Sequence, residues 1–367
     1  MPELWRGPTA DFWRGKRVLL TGHTGFKGSW LALWLSEMGA TVAGLALAPE
    51  HSGQLFTAAG IAGRVRHHLV DLRDAGGIER VMADFRPEIV LHLAAQALVR
   101  KSYREPAETF AVNVTGTMNL LEACRQVDSV RAIVVVTSDK CYQNREWSWG
   151  YREDEALGGE DPYSASKAAT ELVAHCWCAS FLRGQGVALA TVRAGNVIGG
   201  GDWSEDRLVP DAMRAFAAGR ALTLRNPSAT RPWQHVLEPL SGYLRVAEGL
   251  FAGEAIAEAW NFGPDESGVR TVGEVSAEMA RLWGGAAEVR HEIDPNAPHE
   301  AGLLSLTSAK ARQRLGWRPQ WTVDQALDYT VGWYRQAQAA SADSVLAMTL
   351  AQIAAYQALL GGERGVH

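Results

Sequence analysis

Short β-branched and apolar runs alternate with longer segments of helical periodicity along the first half of the chain. The apolar runs predict strands over residues 17–21, 41–47, 66–71, 89–93, 132–137 and 188–193. The intervening segments predict helices over residues 25–38, 76–85, 107–126 and 162–182. This alternation is typical of an α/β fold with a doubly wound, parallel Rossmann-type sheet.

The pattern changes after residue 195. A glycine-rich loop comes first, and the rest of the chain mixes short helical stretches with polar loops. We predict helices over residues 207–218, 270–283, 308–315 and 339–360, and a polar loop over residues 225–235. This second half therefore predicts a smaller, mixed α/β lobe attached to the parallel sheet.

The composition of the chain indicates which kinds of binding partner and which cellular compartment are expected. The chain has 367 residues and a net charge of −5, which disfavours nucleic acid or an anionic membrane as the main partner. No uninterrupted apolar run approaches membrane-spanning length, and the start lacks the apolar core of a signal peptide. The four cysteines form no zinc pattern, so we predict a cytoplasmic protein with reduced thiols and no metal site.

A glycine-rich loop follows the first predicted strand and opens the first long helix. Its sequence is Gly22-His23-Thr24-Gly25-Phe26-Lys27-Gly28. Glycines at this spacing permit a tight turn and let the backbone approach a pyrophosphate, which the helix N-terminus attracts. The strand–loop–helix setting therefore predicts a dinucleotide site.

The residues after the other strands bear on which dinucleotide binds. After the second strand no acid precedes Glu50 and no arginine is placed for a 2′-phosphate, which favours NAD over NADP. Asp71 and Leu72 follow the third strand and suit the adenine, although Asp71 could also cap a turn. The small residues of Leu93-Ala94-Ala95-Gln96 would let the backbone lie against the cofactor.

Candidate catalytic residues follow the fifth strand and open the helix after it. Tyr163 precedes Lys167 by four residues, so both lie on one helix face and the lysine charge can favour tyrosinate. Ser138 at the strand end can hold the same substrate oxygen. Asp139 and Lys140 add an acid and a base to this hydride-transfer site, unless they form only a solvated turn.

Taken together, these motifs resemble the extended short-chain dehydrogenase/reductase family of nucleotide-sugar enzymes. The shared strings include His92-Leu93-Ala94-Ala95-Gln96, Asn113-Val114-Thr115-Gly116-Thr117 and Tyr163-x-x-x-Lys167. Longer strings are similar to one group within it, the CDP-glucose 4,6-dehydratases. They are residues 22–30, Trp147-Ser148-Trp149-Gly150-Tyr151-Arg152-Glu153, Gly199-Gly200-Gly201-Asp202-Trp203, Arg231-Pro232-Trp233-Gln234-His235-Val236 and His299-Glu300-Ala301.

The resemblance implies a reaction and a role for each candidate. CDP-glucose would become CDP-4-keto-6-deoxyglucose, for deoxysugar and O-antigen synthesis, with NAD reduced and reoxidised. Tyr163 would take the C4 hydroxyl proton, with Ser138 orienting that oxygen and Lys167 holding the tyrosine and the cofactor ribose. Asp139 would protonate the leaving C6 hydroxyl. Lys140 stands where dTDP-glucose members carry glutamate, and would either remove the C5 proton or stay cationic and stabilise the enolate.

The same resemblance extends to substrate contacts, domains and assembly. A sugar diphosphate needs cations, and a pyrimidine needs amides and aromatic faces. The candidates are Asn196, Arg207, Arg231, Gln234 and Trp203. Residues 12–196, with a return segment at 233–265, would form the NAD-binding domain, and residues 197–232 and 266–350 the nucleotide-sugar lobe. Helices near 101–124 and 162–182 would form a homodimer, or part of a homotetramer.

Two other functions stay open on the sequence. An NAD-dependent nucleotide-sugar 4-epimerase needs the serine, tyrosine and lysine but no acid and base like Asp139 and Lys140. A non-catalytic dinucleotide-sensing regulator could use the same fold. Such proteins commonly lack the tyrosine–lysine pair, which this chain keeps.

Overall fold

A computed structural model describes residues 5–224, 226–265, 268–285, 287–292 and 303–362. The strands are β1 (Arg17–Thr21), β2 (Thr41–Ala46), β3 (Arg66–Leu69), β4 (Ile89–His92), β5 (Ala132–Val136), β6 (Ala188–Ala194), β7 (Asn196–Ile198), β8 (Leu222–Leu224), β9 (Thr230–His235), β10 (Ala259–Phe262), β11 (Val269–Thr271) and β12 (Val289–His291).

The α-helices are α1 (Ala10–Trp13), α2 (Phe26–Glu37), α3 (Leu55–Ala58), α4 (Ala75–Phe85), α5 (Val99–Arg104), α6 (Pro106–Phe110), α7 (Gly116–Arg125), α8 (Pro162–Trp177), α9 (Leu208–Ala217), α10 (Leu237–Ala252), α11 (Val272–Trp283), α12 (Ala309–Arg314), α13 (Val323–Ala337) and α14 (Ala342–Gly361). Short 3₁₀ or π segments lie at Ile61–Arg64, Ala111–Thr115, Asp139–Cys141, Cys178–Leu182 and Arg183–Gln185.

Seven parallel strands form the main sheet in the order β10-β6-β5-β4-β1-β2-β3. The predicted doubly wound α/β fold is therefore confirmed, and the six predicted strands end within two residues of their predicted limits. The seventh strand, β10, was not predicted; it pairs with β6 and lies inside the segment 233–265. The carboxyl ends of β1, β4 and β5 meet at the sheet edge where α/β proteins bind ligands.

Side chains of the central strands pack into two apolar layers, one on each face of the sheet. Val18 and Leu20 of β1 pack into one layer and Leu19 into the other, as the two-residue period of a strand requires. The first layer also takes buried residues from α2, α10 and α13, and the second from α4 and α7. Both faces of the sheet are thus covered, which fixes the strand ends at the site.

A three-stranded sheet, β11-β9-β7, and a two-stranded one, β12-β8, lie outside the main sheet. The prediction of a polar loop over 225–235 is wrong for Thr230–His235, which forms β9. Its last four residues, Pro232 to His235, are buried although two of them are polar. The helix predicted from residue 270 begins at Val272, because Thr271 and Glu274 form a capping box.

Helix α14 differs from the expectation about membranes. Among the described residues, it alone is long and apolar enough to span a membrane by length and composition, with 20 residues and mean hydropathy 1.4. About a third of its apolar stretch (33%) is buried inside the protein. Ile353 and Tyr356 pack into the core, and the Tyr356 hydroxyl donates to Glu238 Oε2 at 2.6 Å. One such helix is weak evidence for a membrane, since core helices pass the same test.

Three buried histidines should make the fold sensitive to acid. Burial lowers the pKa of His23, His92 and His235 from 6.5 to about 3. In the unfolded chain each binds a proton as the pH falls through 6.5, whereas in the fold each stays neutral until about pH 3. Their contribution to stability is therefore complete above pH 6.5 and is lost as the pH falls toward 3.

From pH 6.5 to pH 5 we expect the free energy of unfolding to fall by about 2 kcal/mol for each of these histidines. Denaturant titrations at a series of pH values measure this slope. His235→Gln removes one of the three histidines and should make the free energy of unfolding depend less steeply on pH. His51→Gln, at an exposed position, should leave that pH dependence unchanged. Equal slopes in all three proteins would contradict this prediction.

Candidate active site

The single turn after β5 brings an acid and a base together. Ser138 caps this turn, and its Oγ accepts a hydrogen bond from the Lys140 backbone N–H at 3.2 Å. The same hydroxyl donates to Asp139 Oδ1 at 3.0 Å, and Lys140 Nζ lies 3.9 Å from that oxygen. Asp139 is 2% exposed whereas the Lys140 side chain keeps 29% exposure, so the amine is the more accessible of the two groups.

Helix α8 carries the second half of the cluster. Asp161 caps the helix by accepting the Ser164 N–H at 3.0 Å, and Pro162 occupies the first helical position. This start places Tyr163 and Lys167 on one buried face. The Ser138 side chain acts on the Tyr163 phenol to lower its pKa, and both side chains line one cavity, so the structure brings the predicted serine and tyrosine together.

The electrostatics of this pair differ from the expectation. Burial raises the pKa of Tyr163 to about 12, opposed by the bond to Ser138 and the charge of Arg207. Burial also lowers the pKa of Lys167 to about 8, against the attraction of Glu171. Lys167 Nζ donates to the Val136 carbonyl at 3.1 Å. The protein alone therefore keeps the phenol protonated at neutral pH.

A buried ion pair supports Lys167 from the next turn of α8. Arg193 on β6 donates from Nε and Nη2 to the two carboxylate oxygens of Glu171, at 2.8 and 2.9 Å. Thr137 and Thr191 donate to the same carboxylate at 2.5 and 2.6 Å. Every oxygen of the carboxylate thus has donors, as a buried charge requires. This network fixes α8 against β5 and β6 directly beneath the site.

The glycine loop leaves a cradle of backbone amides at the start of α2. Gly22 has a φ of +75°, and a side chain there would put its Cβ 2.8 Å from the Ala94 nitrogen. At Gly28 a Cβ would lie 2.0 Å from the Gly22 carbonyl oxygen. Gly25, the N-cap of α2, offers no side chain to the first-turn N–H groups. These free donors on a helix N-terminus fit the pyrophosphate of a dinucleotide.

Other predicted cofactor residues make hydrogen bonds that hold the backbone around this cradle in place. The His23 ring points inward, with Nε2 2.6 Å from His67 Nδ1, so only its backbone faces a ligand. Thr24 Oγ1 donates to the Leu47 carbonyl at 2.9 Å. The Leu93 and Ala94 amides both donate to Thr21 Oγ1 at 3.1 Å.

The remaining cofactor candidates have structural partners of their own. The Asp71 carboxylate takes a forked pair of bonds from Arg73, which lowers the pKa of Asp71, and it also accepts the Arg73 N–H as a turn cap would. Leu72 is buried against Gly116 of α7. The Gln96 side chain bonds Thr109, and its backbone is held by Asn113. Phe26 lies near Gly199, and Ala95 is half-buried.

A cavity of about 1090 Å³ joins the catalytic cluster to the smaller lobe. Its lining includes the four catalytic candidates Ser138, Asp139, Lys140 and Tyr163. Asn196, Arg207 and Arg231, three of the predicted substrate contacts, line it as well. Its volume slightly exceeds the usual range for small-molecule sites, as a two-part ligand needs.

Two predicted substrate contacts lie elsewhere. Gln234 is buried in β9 and donates from Nε2 to the Phe262 carbonyl at 2.9 Å. Trp203 donates its indole N–H to the Gly53 carbonyl at 2.5 Å and packs edge-on against Tyr334. Neither side chain lines the cavity.

Two residues that line or border this cavity differ from the sequence prediction, since Lys27 was predicted only as part of the cofactor loop and Tyr243 was not predicted. The Lys27 side chain leaves the glycine loop and lines the cavity with Asp139. Its signal was available, since it is the one charged residue in the otherwise apolar or small segment 25–35. Tyr243 lies 3.5 Å from Lys27 Nζ, and it was missed because α10 itself was not predicted.

The parallel sheet, the glycine cradle and the serine–tyrosine–lysine cluster define an extended short-chain dehydrogenase/reductase. A family model described as GDP-mannose 4,6 dehydratase matches residues 19–330. A CDP-glucose 4,6-dehydratase of Salmonella typhimurium is 50% identical over 331 residues, covering 89% of this chain and 92% of that protein. The chain therefore belongs to this family of nucleotide-sugar 4,6-dehydratases, and it is an enzyme.

More distant relatives include both dehydratases and epimerases. The Thermus thermophilus UDP-glucose 4-epimerase, solved in complex with NAD, is 30% identical with a TM-score of 0.75, covering 88% of this chain and all (100%) of that one. The Streptomyces venezuelae dTDP-glucose 4,6-dehydratase, solved with NAD bound, is 26% identical with a TM-score of 0.73, covering 87% of this chain and 97% of that one. The resembling string His299-Glu300-Ala301 lies outside the described residues.

Proposed function

We propose that this enzyme binds NAD and converts CDP-glucose to CDP-4-keto-6-deoxyglucose. The observation that carries the proposal is the pairing of Asp139 and Lys140, 3.9 Å apart, beside Ser138 and Tyr163 in one cavity. Hydride transfer alone needs no such acid and base, whereas loss of water across two carbons needs both. The 50% identity to a protein named CDP-glucose 4,6-dehydratase supports the same reaction and the same nucleotide.

The first chemical step belongs to α8 and the end of β5. Tyr163 removes the proton of the C4 hydroxyl, and the Ser138 hydroxyl orients that oxygen through its contact with the phenol. Lys167 contributes a cation on the same helix face, held by Val136 and attracted by Glu171. The backbone of Gly22 to Gly28 would hold the NAD pyrophosphate, and Leu93 to Gln96 would border the cofactor. When bound, NAD supplies the ring that takes a hydride from C4 and returns it to C6.

The second step belongs to the turn after β5. The C4 ketone makes the C5 proton acidic, and Lys140 removes it as the base. Asp139 protonates the C6 hydroxyl so that it leaves as water. The difference in exposure of the two groups suits these roles, since the amine can follow the sugar carbon while the carboxyl is held by Ser138.

Cations at the mouth of the cavity suit the substrate diphosphate. Arg207 and Arg231 both line it, and Asp202 orients the Arg207 guanidinium at 3.2 Å. Asn196 begins β7 and offers an amide to the nucleotide or the sugar. We assign Arg207 and Arg231 to the nucleotide-sugar lobe, residues 197–232 and 266–350, and Asn196 to the end of the NAD-binding domain beside it. The NAD-binding domain would then comprise residues 12–196 with the return segment 233–265.

We further propose a cytoplasmic homodimer that serves deoxysugar and O-antigen synthesis. Helices α5 to α8 expose large apolar side chains, among them Tyr103, Phe110 and Leu172. Such residues on one group of helices support a helical dimer interface. Sedimentation should give a dimer, or a tetramer if a second interface adds to it. Leu172→Arg should shift the protein toward monomer, and an unchanged mass would contradict this interface.

Nucleotide-sugar 4-epimerisation is the alternative, because relatives of that name share the fold. Incubation with NAD and CDP-glucose, followed by alkali, separates the two. A dehydratase gives a 4-keto product that absorbs strongly in base. An epimerised hexose without any 4-keto sugar would overturn the dehydratase assignment.

A further inference from the structure

Lys27 lies in the catalytic cavity, and the chemistry above gives its side chain no role. It is the second residue of α2, so its backbone belongs to the cofactor cradle while its side chain lines the cavity with Asp139. Its Nζ lies 3.5 Å from the Tyr243 hydroxyl and 5.8 Å from the centre of that ring. The Lys27 side chain is only partly exposed, and a lysine taken partly out of water costs free energy unless its charge or its proton is used.

Charged groups from every neighbouring element act on this ammonium. Burial is the largest effect and lowers the pKa of Lys27 to about 7. That value already includes the charges of Arg207 at the start of α9 and of Lys167 on α8, which lower the pKa, and those of Asp139 and Asp202, which raise it. Tyr243 faces it from α10. At neutral pH such a lysine can both hold and release a proton, which is the property of an effective general acid.

The two carboxylate oxygens of Asp139 differ in their hydrogen bonds. Oδ1 accepts from Ser138 and faces Lys140. Oδ2 is buried, and no described residue donates a hydrogen bond to it. A buried carboxylate oxygen without a donor is unfavourable, so this atom is placed for a proton or for a substrate hydroxyl. The electrostatic attraction between Asp139 and Lys27 acts across the same cavity.

Loss of water requires a proton on the C6 oxygen in every turnover. We propose that Lys27 supplies this proton through Asp139. The proton passes from Lys27 Nζ across the cavity, through a bridging water, to Asp139 Oδ2 and then to the C6 hydroxyl, while the C6–O bond breaks and water leaves. Tyr163 gains one proton from the C4 hydroxyl in the same cycle, and its return through the pocket or solvent restores Lys27. Lys27 is thus a positioning and proton-supplying residue, and its role rests on the proposed dehydratase function.

Two substitutions at this position separate proton supply from charge. Lys27→Met keeps the length of the side chain but has neither charge nor proton, and Lys27→Arg keeps the charge but cannot release a proton near neutral pH. We expect both variants to lose about 10²- to 10³-fold in dehydration rate. Removal of the C5 proton should survive, so CDP-glucose recovered from D₂O should carry deuterium at C5. Binding of CDP-glucose, measured by calorimetry, should change less than threefold.

A substrate with a better leaving group provides the decisive comparison. In CDP-6-deoxy-6-fluoroglucose, fluoride departs without needing a proton, so both variants should process it at nearly the wild-type rate. That recovery also shows that the variants are folded. The proton-supply role would be overturned if Lys27→Met dehydrated CDP-glucose at the wild-type rate. It would also be overturned if the variant lost as much rate with the fluoro substrate as with CDP-glucose, or if only its KM rose. A wild-type protein that makes no 4-keto sugar would instead overturn the proposed function itself.

Discussion

Tyr163→Phe is expected to stop the reaction before its first step, with a fall in turnover of about 10³-fold or more. In the proposed mechanism the phenol takes the proton of the C4 hydroxyl, and it lies in one cavity with Ser138. Without it the C4 proton has no acceptor, so neither the ketone nor the later elimination can form. The rate of 4-keto product formation measures the loss, and calorimetric titration with CDP-glucose should show nearly unchanged binding.

Tyr329→Phe is the matched control. Tyr329 lies on α13, where its ring stacks on Trp321 with centroids 4.1 Å apart. It also loses only a hydroxyl group, so the two variants have the same chemical change at different places. We expect Tyr329→Phe to keep full turnover. Comparable activity in the two variants would mean that Tyr163 is not the base for C4 oxidation.

Lys140→Ala is expected to separate the two halves of the reaction. C4 oxidation should survive, because Tyr163 and Ser138 are intact, while exchange of the C5 proton with solvent should fall by about 10²- to 10⁴-fold. The overall rate should fall by the same factor. Proton exchange in D₂O, followed by NMR at C5, measures the first effect, and 4-keto product formation measures the second.

Two further substitutions decide between the base and the cation. Lys140→Glu keeps a group that can accept a proton, whereas Lys140→Arg keeps only the positive charge. If Lys140 is the base, the glutamate variant should retain more C5 exchange than the arginine variant. The opposite order would show that Lys140 stabilises the enolate as a cation. Unchanged turnover in Lys140→Ala would refute both roles.

Much of the sheet could be predicted because its signal is local. β5 is a run of five apolar, mostly β-branched residues, and such a run predicts a buried strand without any knowledge of the rest of the chain. β9 could not be predicted in the same way, since its polar Gln234 and His235 are buried only through contacts made by the rest of the chain. β10 and α10 were missed for a similar reason. β10 completes the main sheet and α10 packs on it, although both lie more than 200 residues after β1.

The site shows the same division between local and tertiary information. The four-residue spacing of Tyr163 and Lys167 places both on one face of any helix, so their proximity followed from the sequence. The direction of the Tyr163 pKa shift did not follow from the sequence, because burial by distant elements raises that pKa. The inward turn of the Lys27 side chain depends on α10 and the loop after β7, which sequence spacing cannot specify.

The most direct test of the proposed chemistry follows a single hydrogen atom. CDP-glucose labelled with deuterium at C4 should yield CDP-4-keto-6-deoxyglucose with that deuterium in the C6 methyl group. This result requires one site to oxidise C4, expel water and return the same hydride, as the clustering of Tyr163, Asp139 and Lys140 predicts. Deuterium that stays at C4 of a hexose product, or that is lost to solvent, would contradict it.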